Sequence, residues 1–123
     1  MRHRLAGRRL HRDGDARKQL RRNLMASLFL HDAIQTTEAK ARMVQGEAEH
    51  LIALARAGSE HHRRVILARL GGNERATAKL CDLIAPEFED REGGFTRLLK
   101  LGRRQGDGAA MALLQIIGRE AGA

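Results

Sequence analysis

Nine of the chain's Lys and Arg residues fall within its first 22 positions: Arg2, Arg4, Arg8, Arg9, Arg12, Arg17, Lys18, Arg21 and Arg22. Only Asp13 and Asp15 oppose them, so this stretch carries +7 of a total of +8. Charges at that density cannot enter a low-dielectric interior without partners. The rest of the chain reads as the body that holds this charged end in place. A charge placed so unevenly points to a polyanion as partner.

The 123 residues suit one domain. Trp and Tyr are absent, and Phe29, Phe88 and Phe95 are the only aromatic rings besides histidine. The core has to be aliphatic. A module that stacks single-stranded bases needs exposed rings at close spacing, which this chain lacks. Binding through phosphates and shape is what remains. The single cysteine, Cys81, allows no intramolecular disulfide and suits a reducing compartment. Leu5 and Leu10 stand among arginines, so no secretory apolar segment is expected, and no run approaches membrane-spanning length. An organelle transit peptide would avoid acids and favour Ser. Asp13, Asp15 and the lack of Ser before Ser27 argue against one.

Residues 1–12 have no hydrophobic periodicity and are expected to form a basic arm, disordered in isolation by self-repulsion. The alternative is a plain solvated tail. Arginine forks match phosphate geometry, which favours the binding arm. Either Asp13 or Asp15 can cap a helix predicted over residues 16–30, with Ala16, Leu20, Leu24 and Leu28 as its buried stripe and Met25 and Phe29 flanking. Arg17 with Arg21, and Lys18 with Arg22, are i,i+4 pairs off that stripe. The helix therefore continues the arm as a basic shoulder. His31-Asp32 ends it. Ala33 to Thr37 reads as a strand, with Ile34 and Thr36 on one face.

Thr37 caps a helix over residues 38–57 whose apolar face is Ala41, Val44, Ala48, Leu51, Ile52 and Ala55, closed by Gly58. Ser59 caps a third helix, with Val65, Ile66 and Leu70 inward, closed by Gly71-Gly72. Asn73 caps a fourth, with Ala76, Leu80, Leu83 and Ile84 inward, stopped by Pro86. An acidic loop comes next over residues 87–92, with Phe88 tucked beneath it. Residues 95–101 and 109–117 read as a hairpin around a Gly-rich loop. A second basic cluster, Arg91, Arg97, Lys100, Arg103 and Arg104, falls on this hairpin and the loop before it, with Arg103 and Arg104 at the tip. A solvated hairpin is the alternative. The domain is expected over residues 13–118, with a frayed tail over 119–123.

Catalytic and metal chemistry find little support. His61 and His62 diverge by about 100° on a helix. Cys81 has no second cysteine and no nucleophile signature, and reads as packing. The glycines at 102, 106 and 108 are not followed by the Lys-Ser/Thr of a phosphate loop. No enzyme, cofactor or small-molecule substrate is expected.

Five blocks, in order, resemble the bacterial large-ribosomal-subunit protein seventeen family. They are Met1-Arg2-His3-Arg4 with Gly7-Arg8-Arg9-Leu10 and Arg12; Arg22-Asn23-Leu24 with Ser27-Leu28; and Ile34-Gln35-Thr36-Thr37 with Lys40-Ala41-Arg42. The last two are Gly93-Gly94-Phe95-Thr96-Arg97 and residues 106–112, Gly-Asp-Gly-Ala-Ala-Met-Ala. The chain departs at Leu5, where the family more often has Lys, at Ala16, more often His, and at Ala110, more often Pro. Leu5 removes one phosphate contact. The resemblance implies a non-enzymatic, RNA-bound constituent of the large subunit, on its surface near the tunnel exit. It implies large-subunit ribosomal RNA and the neighbouring protein numbered thirty-two as partners, in the cytoplasm. It also implies a two-layer α+β fold in the order helix, strand, three helices, two strands, the order that the caps and periodicities give independently.

The residues expected to bind RNA are Arg2, His3, Arg4, Arg8, Arg9 and Arg12 of the arm. To these are added Arg17, Lys18, Arg21 and Arg22 of the first helix, and Arg97, Lys100, Arg103 and Arg104 of the hairpin. A DNA-binding regulator that lays the basic helix in a groove is the rival, weakened by the apolar Met25 to Leu30. An RNA-modifying enzyme is a second rival, and lacks a polar-pocket signature. Deleting residues 1–12 is expected to leave a cooperative thermal transition and to weaken RNA binding greatly. Loss of the transition would make the arm part of the core.

Overall fold

The computed structural model describes residues 14–119. Helix α1 (Gly14–His31) leads into strand β1 (Ala33–Thr37) and helix α2 (Glu38–Ala57). Helices α3 (Glu60–Arg69) and α4 (Glu74–Lys79) come next, and strands β2 (Thr96–Arg103) and β3 (Ala110–Ile116) close the fold. The three strands form one antiparallel sheet in the order β1-β3-β2. Helix α2 packs across all three strands, and α1 lies against β1 and β3. This is the two-layer α+β arrangement that the sequence implies.

Helix α2 runs over the predicted residues, and Ala41, Val44, Ala48, Leu51, Ile52 and Ala55 are all buried. The reason is local. Thr37 adopts an extended backbone and its side-chain oxygen accepts from the Lys40 amide, while Gly58 closes the far end at φ 74°. That left-handed geometry favours glycine. Ser59 and Asn73 cap α3 and α4 in the same way, accepting from the His62 and Ala76 amides.

Helix α1 differs from its predicted stripe. Ala16, Leu20 and Leu24 are only half-buried, and the buried residues are Met25, Ala26, Leu28 and Phe29. The N-terminal half of the helix thus projects beyond the core that its C-terminal half enters. Val65 of α3 is also half-buried rather than inward.

Pro86 does not stop the fourth helical segment. Residues 80–84 widen into a π-turn, with the Ala85 amide donating to the Leu80 carbonyl, and a 3-10 turn carries the chain to Phe88. Pro86 sits in the first turn of that new segment, where a missing N–H costs nothing. The wider turn rotates Leu83 off the apolar face, leaving it 56% exposed, and brings Ala85 inward beside Ile84. It also sets the Phe88 ring 5.1 Å from that of Phe95, beneath the acidic loop.

Strand β2 begins one residue later than predicted and runs on through Gly102 and Arg103, which the sequence places in the loop. A bulge makes this possible. Pairing passes from Lys100–Ala112 to Gly102–Met111, skipping Leu101, and Gly102 has φ 93°. The start of β2 is tied to α2 by Glu49. Its carboxylate accepts from the Phe95 amide at 3.0 Å, the Thr96 amide at 2.8 Å and the Thr96 hydroxyl at 2.6 Å.

Arg119, expected to open a frayed tail, is held instead. Its Nε donates to Asp32 at 2.9 Å and its Nη1 to Glu87 at 2.6 Å. Asp32 closes α1 at φ 70°, a left-handed position that Asp tolerates better than most residues. Lys79 Nζ reaches the same carboxylate at 2.8 Å and donates to the Leu30 carbonyl at 2.8 Å. The Asp32 carbonyl accepts from the Ile116 amide at 3.0 Å. One residue therefore joins the end of α1, α4 and the chain beyond β3.

Partial burial works against ionisation of Asp32, but hydrogen bonds from Lys79 and Arg119 outweigh it and hold the carboxyl below its ordinary value. A lowered folded pKa stabilises the fold at pH values above the unfolded pKa. That stabilisation fades as the pH falls below about 4. Asp32→Asn is expected to cost about 1.5–3 kcal/mol at neutral pH, the range for hydrogen bonds to a charged group. The deficit should shrink as urea melts are carried below pH 4. An equal deficit at pH 7 and pH 3 would show that the charge of Asp32 is not what stabilises this junction.

Candidate nucleic-acid interface

Spacing by three and four puts Lys18, Arg21, Arg22 and Met25 on one side of α1. That side faces Glu47 on α2 and Ala68 and Arg69 at the end of α3. Together these seven residues line an open groove of about 470 Å³. The projecting half of α1 forms one wall, with Lys18 exposed and Arg21 and Arg22 half-buried. Arg17 stands outside this lining, with its Nη2 near Gly14. Glu47 is the only acid among the lining residues. Arg21 Nε lies 3.7 Å from one of its oxygens and Arg69 Nη1 3.4 Å from the other.

The end of α3 shapes the groove through Gly71. The Gly72 amide donates to the Leu67 carbonyl and the Gly71 amide to that of Ala68, which closes the helix with Gly71 at φ 69°. A Cβ at Gly71 would meet Arg22 Cδ at 3.3 Å, so the aliphatic part of Arg22 lies over a glycine.

The hairpin cations are placed otherwise. Arg97 Nη2 donates to Gln115 across the strands at 3.2 Å. Lys100 is exposed on β2. At the tip, Arg103 Nη1 donates to the Gly108 carbonyl at 2.8 Å. Arg104 turns its fork onto Asp107, with Nε at 3.1 Å and Nη2 at 2.6 Å, and Asp107 also accepts from the Ala109 amide. Arg104 and the Ala109 amide hold the Asp107 carboxyl far below the usual carboxylate range, and that pairing raises the Arg104 guanidinium. Arg104 is thus a staple of its own loop, with its charge balanced. Its signal in the sequence is an Asp three residues on, among glycines.

The structure brings Lys18, Arg21 and Arg22 together and leaves the hairpin residues outside their groove. Arg2, His3, Arg4, Arg8, Arg9 and Arg12 lie outside the described residues. Arg69 and Glu47 are groove residues that sequence reasoning does not reach. The sequence predicts that α3 packs near its neighbours but not that its last turn faces α1.

Other chemistry-bearing side chains fit structural roles. Burial pushes the Cys81 thiol up despite the nearby Arg63, which disfavours the thiolate a nucleophile needs. His62 Nδ1 lies 2.6 Å from the Ser59 hydroxyl at the α3 cap. Among the described residues, no three His, Cys, Asp or Glu side chains gather to hold a metal ion.

Fold and groove together define a small basic α+β protein that presents a cationic cleft. The family model for ribosomal protein L17 matches residues 20–117. The chain is 50% identical over 117 residues to the large ribosomal subunit protein bL17 of Thermomicrobium roseum, covering 95% of this chain and 99% of the relative. The bL17 protein of Thermus thermophilus is 46% identical over 118 residues, covering 95% and 99%. That of Pelobacter propionicus is 40% identical over 120, covering 98% and 94%. The chain belongs to the ribosomal protein L17 family.

Gly71→Ala is expected to lower stability by about 1–2 kcal/mol, because Ala resists the left-handed region. Gly71→Asn should cost less, since Asn tolerates that region. Denaturant midpoints that rank Asn below Ala would contradict this account of the α3 terminus.

Proposed function

We propose that the chain is a structural constituent of the large ribosomal subunit and binds large-subunit ribosomal RNA through backbone phosphates and shape, in support of translation. Family membership carries the ribosomal part of this reading. The relatives that match over almost their whole length are named as large-subunit proteins. The cationic groove supports the RNA part, since Lys18, Arg21, Arg22 and Arg69 outnumber its single acid. Phosphate contacts supply affinity, and the folded body sets orientation.

The arm residues Arg2, His3, Arg4, Arg8, Arg9 and Arg12 are proposed as the main RNA contact. Arg17, Lys18, Arg21 and Arg22 extend it onto the domain. Arg97, Lys100 and Arg103 offer a second contact, with Arg104 shaping the loop that presents them. The role is scaffolding rather than catalysis, in the cytoplasm and within the ribosome. A protein neighbour, proposed to be the one numbered thirty-two, has apolar area to meet where Leu99 and Leu101 stand exposed on the hairpin. No helix of the described residues is long and apolar enough to cross a membrane.

The DNA-groove reading is disfavoured by burial. Met25, Ala26, Leu28 and Phe29 are in the core, so these apolar residues of the C-terminal half of α1 are committed to packing rather than to a groove.

RNA affinity is expected to fall steeply with salt. Each phosphate neutralised adds roughly 0.7 to 0.9 to the slope of log affinity against log salt. A slope equal to only one or two contacts would contradict the arm and groove as the binding surface. Stoichiometric co-sedimentation with ribosomes in high salt supports the scaffold role, and free or DNA-bound protein would overturn it.

A further inference from the structure

Two arginines from different helices converge on Glu47 inside the cationic groove. Arg21 approaches from α1 and Arg69 from α3, at 3.7 and 3.4 Å. Both distances exceed the roughly 2.7–2.9 Å of a strong charge-assisted hydrogen bond. Both guanidiniums are a third to a half exposed, at 35% and 49%. Such pairs contribute little to stability. Two forks facing one carboxylate make an anion site, and the protein fills it with a loosely held anion of its own. Lys18 and Arg22 flank that site. The lining holds no aromatic ring, and its four cations, three of them arginine forks, match a backbone phosphate.

We propose that Arg69 is a phosphate-binding residue of this groove and that Glu47 competes with RNA phosphate for Arg21 and Arg69. The inference rests on the RNA-binding reading above and adds a residue from α3 and a built-in competitor. An incoming phosphate takes over the two guanidiniums, and the Glu47 carboxylate turns to solvent. While it remains, its charge lowers the affinity of the groove for every polyanion. Tight binding then requires a backbone that engages the groove and the arm together.

The test uses the full chain and a transcript of large-subunit ribosomal RNA, titrated at several salt concentrations. Arg22→Gln serves as reference, and the thermal midpoint of each variant is measured. Arg69→Gln is expected to lower the log–log salt slope by roughly 0.7 to 0.9, as Arg22→Gln does. Arg69→Lys, which keeps the charge, should retain most of the slope. Glu47→Gln is expected to tighten binding at low salt by about two- to fivefold. That gain should shrink when Glu47→Gln is combined with Arg69→Gln. A slope unchanged by Arg69→Gln but lowered by Arg22→Gln would overturn the inference and leave the groove as an RNA site. If neither changes the slope, the groove does not bind RNA at all. Unchanged or weaker binding by Glu47→Gln would make Glu47 a structural partner only and overturn the competition.

Discussion

The fold depends on the buried face of α2, which packs against all three strands. Ala41, Ala48 and Ala55 recur every seven residues, with Val44 and Leu51 at the intervening seam positions, and all are buried. This seam of alternating small and larger side chains packs into the core that α2 shares with all three strands and its neighbouring helices. The core around it is aliphatic apart from Phe29, Phe88 and Phe95. Ala48 is fully buried, so a bulky side chain there would have to displace its packed neighbours.

From that helix the functional surface is placed by short polar ties. Glu49 holds the first residues of β2, and with them the whole hairpin, to α2. Glu47, two positions earlier and on another side of the same helix, faces α1 and α3. Asp32 ties the C-terminal end of α1 to α4 and to the chain beyond β3, while Lys18, Arg21 and Arg22 of its N-terminal half line the groove. A few carboxylates on rigid elements thus decide where the cations stand. The cations in turn carry the excess charge that a polyanion would meet.

Much of this is legible in the chain itself. Caps and closing glycines define α2, α3 and the start of α4, because those signals act within a few residues. Strand β1 comes from its β-branched residues, and the buried face of α2 from periodicity. The features that escape are those that only packing decides. The π-turn at residues 80–84 redirects Leu83 by changing the helical period partway through an apolar stripe. The half-burial of Leu20 and Leu24 reflects where the neighbouring helices end. Arg119 reads as a tail residue because its partners, Asp32 and Glu87, are far away in sequence. For the same reason Arg69 cannot be joined to the cations of α1. The pairing of Arg104 with Asp107 is local and has its signal three residues on, but it reads as a free tip until the loop geometry is known.

The central claim is that the charge of this family member is arranged to meet RNA phosphate at the arm and along the α1 wall. The most direct measurement is a structure of the chain within an assembled large subunit. The account expects phosphate oxygens within about 3 Å of guanidinium or ammonium nitrogens of Lys18, Arg21 or Arg22, with the arm tracking RNA backbone. A subunit in which this wall faces solvent or another protein, with no phosphate near it, would contradict the account.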